Sequence, residues 1–540
     1  MRHKHEIQSG RSSSSTHHLV KYNEQGDVLN YSNVGDLHDM AENRAFSYVD
    51  LVDVGGHASV SKTAIRTMTC NNPDFCVICI SATTGLRDTC LDQLAVALFL
   101  SVPVCLVVTK IDYISKDRLC QVQLSLDRLM TRICGLCSEH ARVQWCVVKS
   151  PEDTLTRQVE FASSSGSISV PIIYLSSTSG EGIRTVHALL KNVADRAGLA
   201  REESAPASTD GVAFQVDSVF RVSGVGIILS GIVLGQKIEV GEIMQLGPGK
   251  DGQFQKIQIV GIHKSHKEVC EALRGHYVTI AIASYNETLE YKQENSRIML
   301  EQKDATATQH SEYSEATGHD LPDSEDELQA LGRSWDFSDL LLSSIDSINS
   351  DSPNGPGIKS KVERSNSKKP MEPIRKKGAV LLSMNSTPTI CLSLKAIVII
   401  NEYFWPSHCG HLPSNMASHI DNSYASSVCT FHCGSVRQLG KISLEPIEPA
   451  RAQELYPQYF TEAVKSSFYI AAAVFHTSNE GKTIVNKRMH QQLFVADVHF
   501  VHREEFILVG SRVILRNNEL GRLCGGGIVV SAPSSSTATL

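Results

Sequence analysis

Phe46-Ser-Tyr-Val-Asp-Leu-Val-Asp53-Val-Gly-Gly56-His57 is an apolar run that ends in a carboxylate, two glycines and a histidine. It reads as a buried strand followed by a tight turn. Residues 46 to 195 then repeat the pattern. Phe75 to Ser81, Val102 to Thr109 and Val170 to Ser176 read as further buried strands. Asp88 to Leu100, Lys116 to Leu129 and Gly182 to Ala194 carry helical periodicity. Strands alternating with helices predict a parallel sheet covered by helices, an α/β domain.

Outward from that domain the chain changes character. A length of 540 residues allows roughly three to four domains. After a polar linker (Glu202 to Asp210), residues 212 to 285 become short β-like runs punctuated by Gly224, Gly226, Gly231, Gly235, Gly241 and Gly247, the spacing of a small β-barrel. Residues 291–373 lose apolar periodicity and read as a long disordered acidic insertion. Within it, Ser334 to Ile345 could form a short amphipathic helix for a partner, or be residual apolar content in a linker. Residues 374–531 return to strands and form a second β domain, and 532–540 is a small polar tail. The resulting division is 1–45 ahead of the sheet, 46–200 the α/β domain, 211–290 a barrel, the insertion, a second barrel and the tail.

Charge is uneven along the chain. The net charge is -7, but the twelve acidic residues and one arginine between Asp304 and Asp351 contribute -11, leaving +4 for the rest. That excludes a uniformly basic nucleic-acid coat and leaves room for a local basic surface facing RNA or phosphate. No apolar run reaches the roughly 18 residues that span a bilayer, so no membrane association is expected. The charged start Met1-Arg-His-Lys-His-Glu6 has no apolar stretch behind it and is not a secretory signal. Fifteen cysteines scattered through strand-like segments fit a reduced compartment, cytosol or nucleus.

Three short motifs follow three strands, where an open parallel sheet binds its ligand. Asp53 can hold Mg²⁺ through water, and Gly56 lets its backbone N–H approach a terminal phosphate oxygen. In Thr109-Lys110-Ile-Asp112, the carboxylate can accept from the N1–H and N2–H₂ edge of guanine, which adenine lacks, while the Lys110 stem covers the base. In Ser176-Ser177-Thr178-Ser-Gly180, backbone N–H groups can meet guanine O6. Each motif alone is weak; their order behind buried strands makes the combination specific.

With these motifs the chain resembles the translational GTPases of the elongation factor Tu and one-alpha type. Within them it is most similar to the GTP-binding protein one and two group. Arg2-His-Lys-His-Glu-Ile-Gln-Ser-Gly-Arg-Ser-Ser13, Gly26-Asp-Val-Leu-Asn-Tyr-Ser32, Pro73-Asp-Phe-Cys76, Phe214-Gln-Val-Asp217, Pro388-Thr-Ile-Cys391 and His432-Cys-Gly-Ser-Val-Arg-Gln438 carry that likeness. Asn30-Tyr-Ser and Pro-Thr-Ile-Cys lean to its second member. The resemblance implies an α/β P-loop-type G domain followed by two β-barrel domains, with residues 1–45 as the switch I region. It implies GTP/GDP and Mg²⁺ as ligands, His57 as the residue that orients the attacking water, and Ser12 in place of the family's Mg²⁺-binding threonine. It also implies a cytoplasmic GTP hydrolase whose nucleotide acts as a conformational switch for ribosome, tRNA or RNA-decay partners, with no DNA partner. Gly224-Val-Gly-Ile-Ile-Leu-Ser-Gly231 and Gly521-Arg-Leu-Cys-Gly-Gly-Gly-Ile528 are similar to the family's barrel signatures.

The chain also departs from that pattern. Such a GTPase needs Gly-x4-Gly-Lys-[Ser/Thr] for the β- and γ-phosphates, and none precedes residue 46. The first, central strand goes with it, so a truncated chain or short isoform is expected rather than a redesigned site. His476-Thr-Ser-Asn-Glu-Gly-Lys-Thr483 lacks the first glycine and reads as a hairpin turn. Ala58-Ser59-Val60 stands where the family has Glu-Lys-Tyr after the histidine. Cys134-x-x-Cys137-x-x-His140 and the set Cys409, His411, Cys429, His432 have metal-ligand residue types, with core cysteines as the other reading. The competing function is a non-catalytic scaffold that binds partners through its barrels and acidic insertion.

Overall fold

The computed structural model describes residues 4–30, 47–137, 142–156, 167–203, 211–285, 378–401, 424–477 and 492–533, apart from isolated positions. The insertion 291–373, with its Ser334–Ile345 segment, lies outside the described residues.

A short helix α1 (Lys4–Ser9) leads to β1 (Thr16–Tyr22) and β2 (Ser47–Asp53), which form an antiparallel pair. The chain continues through α2 (Ser61–Cys70), β3 (Cys76–Ser81), α3 (Asp88–Phe99), β4 (Val104–Thr109), α4 (Lys116–Cys137), β5 (Arg142–Val147), α5 (Pro151–Thr156), β6 (Ser167–Tyr174) and α6 (Ile183–Glu203). Strands β3-β4-β6-β5 make a parallel sheet in that order. The near-continuous burial of β4 fits a strand covered on both faces. Among the described residues β2 pairs only with β1, and β3 only with β4. Among the described residues these strands therefore form two separate sheets, β1-β2 and β3-β4-β6-β5. The β1–β2 pair is fastened to α6: Ser47 Oγ donates to Asp195 at 2.8 Å, and the Tyr22 hydroxyl meets His187 Nδ1 at 2.8 Å.

The next strands are β7 (Val212–Val222), β8 (Gly226–Val233), β9 (Lys237–Glu239), β10 (Ile243–Gly247), β11 (Gln255–Lys264), β12 (Lys267–Val269), β13 (Glu271–Leu273), β14 (Tyr277–Ser284) and β15 (Val380–Ser383). The order β10-β15-β7-β8-β14-β11 closes on itself through β10–β11. A boundary at residue 374 places β15 with the last domain. Its ladders to β7 and β10 place it in this barrel, so the 291–373 insertion interrupts one domain rather than separating two. Four residues after a long gap carry no signal of which sheet they complete.

The last barrel closes as β16-β19-β18-β17-β20-β21, with β16 (Ser393–Ile400), β17 (Tyr424–Cys433), β18 (Val436–Ile447), β19 (Leu493–Phe500), β20 (Arg512–Arg516) and β21 (Leu523–Ser531). Between β18 and β19 lie two helices that the strand-like reading missed, α7 (Pro449–Leu455) and α8 (Glu462–Thr477). The run Phe468-Tyr-Ile-Ala-Ala-Ala-Val474 is buried throughout and shows no polar face, so period alone cannot mark it as a helix. It packs on α3 and α4 of the α/β domain, with Phe468 edge-on to Phe99 at 5.7 Å. His476 and Thr477, read as part of a turn, end this helix, and 478–483 lie outside the described residues.

Three further contacts fasten the domains. Arg522 pairs with Asp92 at 2.9 Å. Arg66 of α2 pairs with Asp217 of β7 at 3.0 Å, and the Tyr277 hydroxyl donates to the same carboxylate at 3.1 Å. The His17 ring stacks on Tyr277 with centroids 4.1 Å apart. No described helix is long and apolar enough to cross a membrane.

Candidate functional site

The residues expected to read a base lie at the carboxyl ends of two adjacent parallel strands. After β4, Thr109 is half-buried and Lys110 takes a left-handed conformation (φ 61°, ψ 38°). That reversal stops the strand and starts a 3₁₀ turn, Ile111–Tyr113, with Asp112 exposed at its middle. After β6, the Leu175 N–H donates to Val108 O at 2.8 Å, and Ile111 N–H reaches back to Leu175 O at 3.5 Å. These bonds hold the Asp112 turn beside the Ser176 loop.

Ser176 is fully buried. Its hydroxyl accepts from the N–H groups of Thr178 (3.2 Å) and Ser179 (3.1 Å), and its own N–H donates to Glu181 O at 2.9 Å. Ser176 thus shapes the loop from inside, and Ser177 is its exposed neighbour. Gly182 lets helix α6 start against the strand, because a Cβ there would lie 2.2 Å from Tyr174 O.

The second group of residues sits on the other sheet. β2 ends at Asp53, which is exposed, and the chain turns through buried Gly55 to exposed Gly56 and His57. Val60 N–H donates to His57 O at 3.0 Å, closing the turn that enters α2. Ser12, on the loop between α1 and β1, donates its hydroxyl to Asp53 Oδ2 at 3.0 Å. Two oxygen donors far apart in sequence are thereby brought together, the hard-ligand chemistry that suits Mg²⁺. Desolvation first, and then the Asp53 carboxylate, push the Cys79 thiol on β3 above its ordinary range.

Two residues that motif reading passed over hold this end. Glu6, 1% exposed, accepts hydrogen bonds from Ser13 and Ser14. Gly55 lies against Ser12, where a Cβ would meet the carbonyl oxygen at 2.4 Å. The second glycine of Asp-x-Gly-Gly was a visible signal for Gly55; nothing in the sequence linked Glu6 to the serines.

Of the two metal-type clusters only part falls among the described residues. Cys429 points into the last barrel, its sulfur 3.8 Å from Cys524 Sγ. His432, three residues on along β17, lies on the opposite face and cannot share a ligand set with it. Among the described residues no group of three or more metal-capable side chains occurs. His140, Cys409 and His411 fall outside them.

Residues 2–196 match the family described as Elongation factor Tu GTP binding domain. GTP-binding protein 1 of Xenopus laevis is 30% identical over 284 residues, 52% of this chain and 41% of that protein. GTP-binding protein 2 of Homo sapiens is 29% identical over 289 residues, 53% of this chain and 46% of that protein. The chain thus spans under half the length of these curated relatives. Among solved structures, translation elongation factor SelB from Methanococcus maripaludis, apo form, covers 91% of this chain and 71% of its own, with 13% identity and a TM-score of 0.48.

Proposed function

We propose that this chain, whose residues 2–196 match the Elongation factor Tu GTP binding domain, is a GTPase of the translational type: a guanine-nucleotide-binding protein with GTP hydrolase activity. The observation that carries the reading is the hydrogen-bonded pairing of the Asp112 turn with the Ser176–Ser177 loop at adjacent strand ends. Asp112 accepts from N1–H and N2–H₂ of guanine, Lys110 covers the base, Thr109 sets the turn, and the Ser177 N–H faces O6. Ser12 and Asp53 would hold Mg²⁺, which supplies charge neutralisation of the phosphates. Gly56 offers its N–H to the terminal phosphate, and His57 orients water for attack. Activity is the cytoplasmic, translation-factor type, with ribosome, tRNA or RNA-decay machinery as partners. The names of the relatives, GTP-binding proteins and a selenocysteine-specific elongation factor, support this class of function.

Titration with a fluorescent GTP, competed by ATP, tests the reading. GTP should displace the probe and ATP should not. Asp112→Asn should lose GTP and gain xanthosine triphosphate, whose C2 carbonyl accepts from the new amide. A folded protein that binds no guanine nucleotide would instead support the scaffold reading, in which barrels and insertion bind partners without turnover.

A further inference from the structure

The loop that brings Ser12 to Asp53 has nothing apolar to hold it. Residues 11–15 are Arg-Ser-Ser-Ser-Ser, so hydrophobic burial cannot fix their path. One buried side chain does. Glu6, on α1, turns a single carboxylate oxygen to four donors: Ser13 N–H at 2.7 Å, Ser13 Oγ at 2.6 Å, Ser14 N–H at 3.0 Å and Ser14 Oγ at 3.0 Å. Gly10 N–H donates to Glu6 O at 2.8 Å, and Gly10 itself takes φ +65°, which reverses the chain so that the serines return over the carboxylate. Hydrogen bonds to an ionised acceptor are shorter and stronger than neutral ones, and a buried carboxylate needs them. Ser13 and Ser14 are therefore pinned, and the residue before them is delivered to Asp53.

We propose that Glu6 is the positioning residue of the metal–phosphate end of the site: by gripping Ser13 and Ser14 it holds the Ser12 hydroxyl where, with Asp53, it ligates a nucleotide-bound divalent cation. Glu6 touches neither cation nor nucleotide. It sets the affinity for the cation and leaves the affinity for the guanine base unchanged, because the Asp112 and Ser177 loops stand on a different sheet. The inference rests on the guanine-nucleotide reading.

The test is an electron paramagnetic resonance titration of Mn²⁺ into the full chain saturated with a non-hydrolysable GTP analogue, the state in which switch I contacts the cation, for the wild type, Glu6→Gln and Glu6→Ala. GDP affinity is measured in parallel in EDTA. Loss of an outer partner of a metal ligand typically costs about 10- to 100-fold in metal affinity, so Glu6→Ala should weaken Mn²⁺ about tenfold or more. Glu6→Gln keeps an acceptor oxygen without the charge and should fall between. GDP affinity in EDTA should be equal in all three, and hydrogen exchange at residues 12–15 should speed up in the order wild type, Gln, Ala. Equal Mn²⁺ affinity in the three chains would overturn the inference alone. So would an equal loss of GDP affinity in EDTA, because Glu6 would then support the fold generally. Should Glu6→Ala not fold, the comparison of wild type with Glu6→Gln and with Ser13→Ala/Ser14→Ala decides the same question. A folded wild type that binds no GDP removes the guanine-nucleotide reading, and the positioning role with it.

Discussion

A methyl group at Gly55 would lie 2.4 Å from the Ser12 carbonyl oxygen and 2.6 Å from Val60 Cγ2. Real Cβ atoms do not approach backbone that closely, so Gly55→Ala must push the Ser12 loop away from Asp53. We expect a stability loss of about 1–3 kcal/mol, typical of overpacking, seen as a lower urea midpoint with faster exchange at residues 12–15. An unchanged midpoint and exchange pattern would mean that the loop and the turn do not touch in solution. A second residue reports pH. Burial lowers the His187 pKa from its ordinary 6.5, so the folded chain resists a proton that the unfolded chain takes up. Below about 6.5 the unfolded state binds more protons, and the stability present at pH 7.5 is lost as pH falls. His187→Gln should therefore lose less urea midpoint between pH 7.5 and 5.5 than the wild type; an identical drop would assign the acid sensitivity elsewhere. At this scale the sequence marks Asp53, Gly56, Lys110 and Asp112 as candidates, because their chemistry is local to a strand end. It hid Glu6, His187 and the internal role of Ser176, because each acts through partners set by the folded chain.

Among elements, β3, β4 and β6 were legible because buried strands read as short apolar runs bounded by turns. β5, largely exposed or half-buried, was not, and β2, read as a buried strand of the parallel sheet, is half exposed and pairs antiparallel with β1. Helix α8 was not legible either, because a helix buried on every side also reads as an apolar run. Its surroundings explain the composition. Ala471, Ala472 and Ala473 are small and buried, and Phe468 fills the space against Phe99 and Phe460. On the barrel side, Gly526 leaves room for the Phe99 ring, which a Cβ would strike at 2.4 Å. A helix that belongs to the last barrel in sequence thus completes the helical layer of the α/β domain. Phe468→Ala removes a fully buried ring, and changes of that kind cost about 3–5 kcal/mol. The loss should appear in amide exchange of both α3 and β16. If exchange rises in the barrel while α3 keeps its protection, α8 does not join the two.

For the whole molecule, that shared core carries a consequence for switching. The translational-GTPase reading implied that nucleotide changes how the G domain packs against its barrels. Here α8 and the Arg522–Asp92 pair bind the last barrel to the α/β domain through buried apolar surface, which resists sliding because a packed core has few alternative arrangements. The junction with the second domain instead carries directional polar contacts, among them Arg66–Asp217, Gln215 to the Cys70 carbonyl, and the His17–Tyr277 stack. Motion is therefore expected there and not at α8. The three tryptophans of the chain allow the shared core to be tested directly. Trp145 packs against the core that contains α8, and Trp405 against the interior of the last barrel. In chains that keep one of these two, with the other two tryptophans changed to Phe, urea unfolding followed by fluorescence should give coincident midpoints, as for one cooperative unit. Phe468→Ala should lower both together. A Trp145 transition that precedes the Trp405 transition by a resolvable interval would show that the α/β domain unfolds on its own, and the last barrel would then be free to move with the nucleotide.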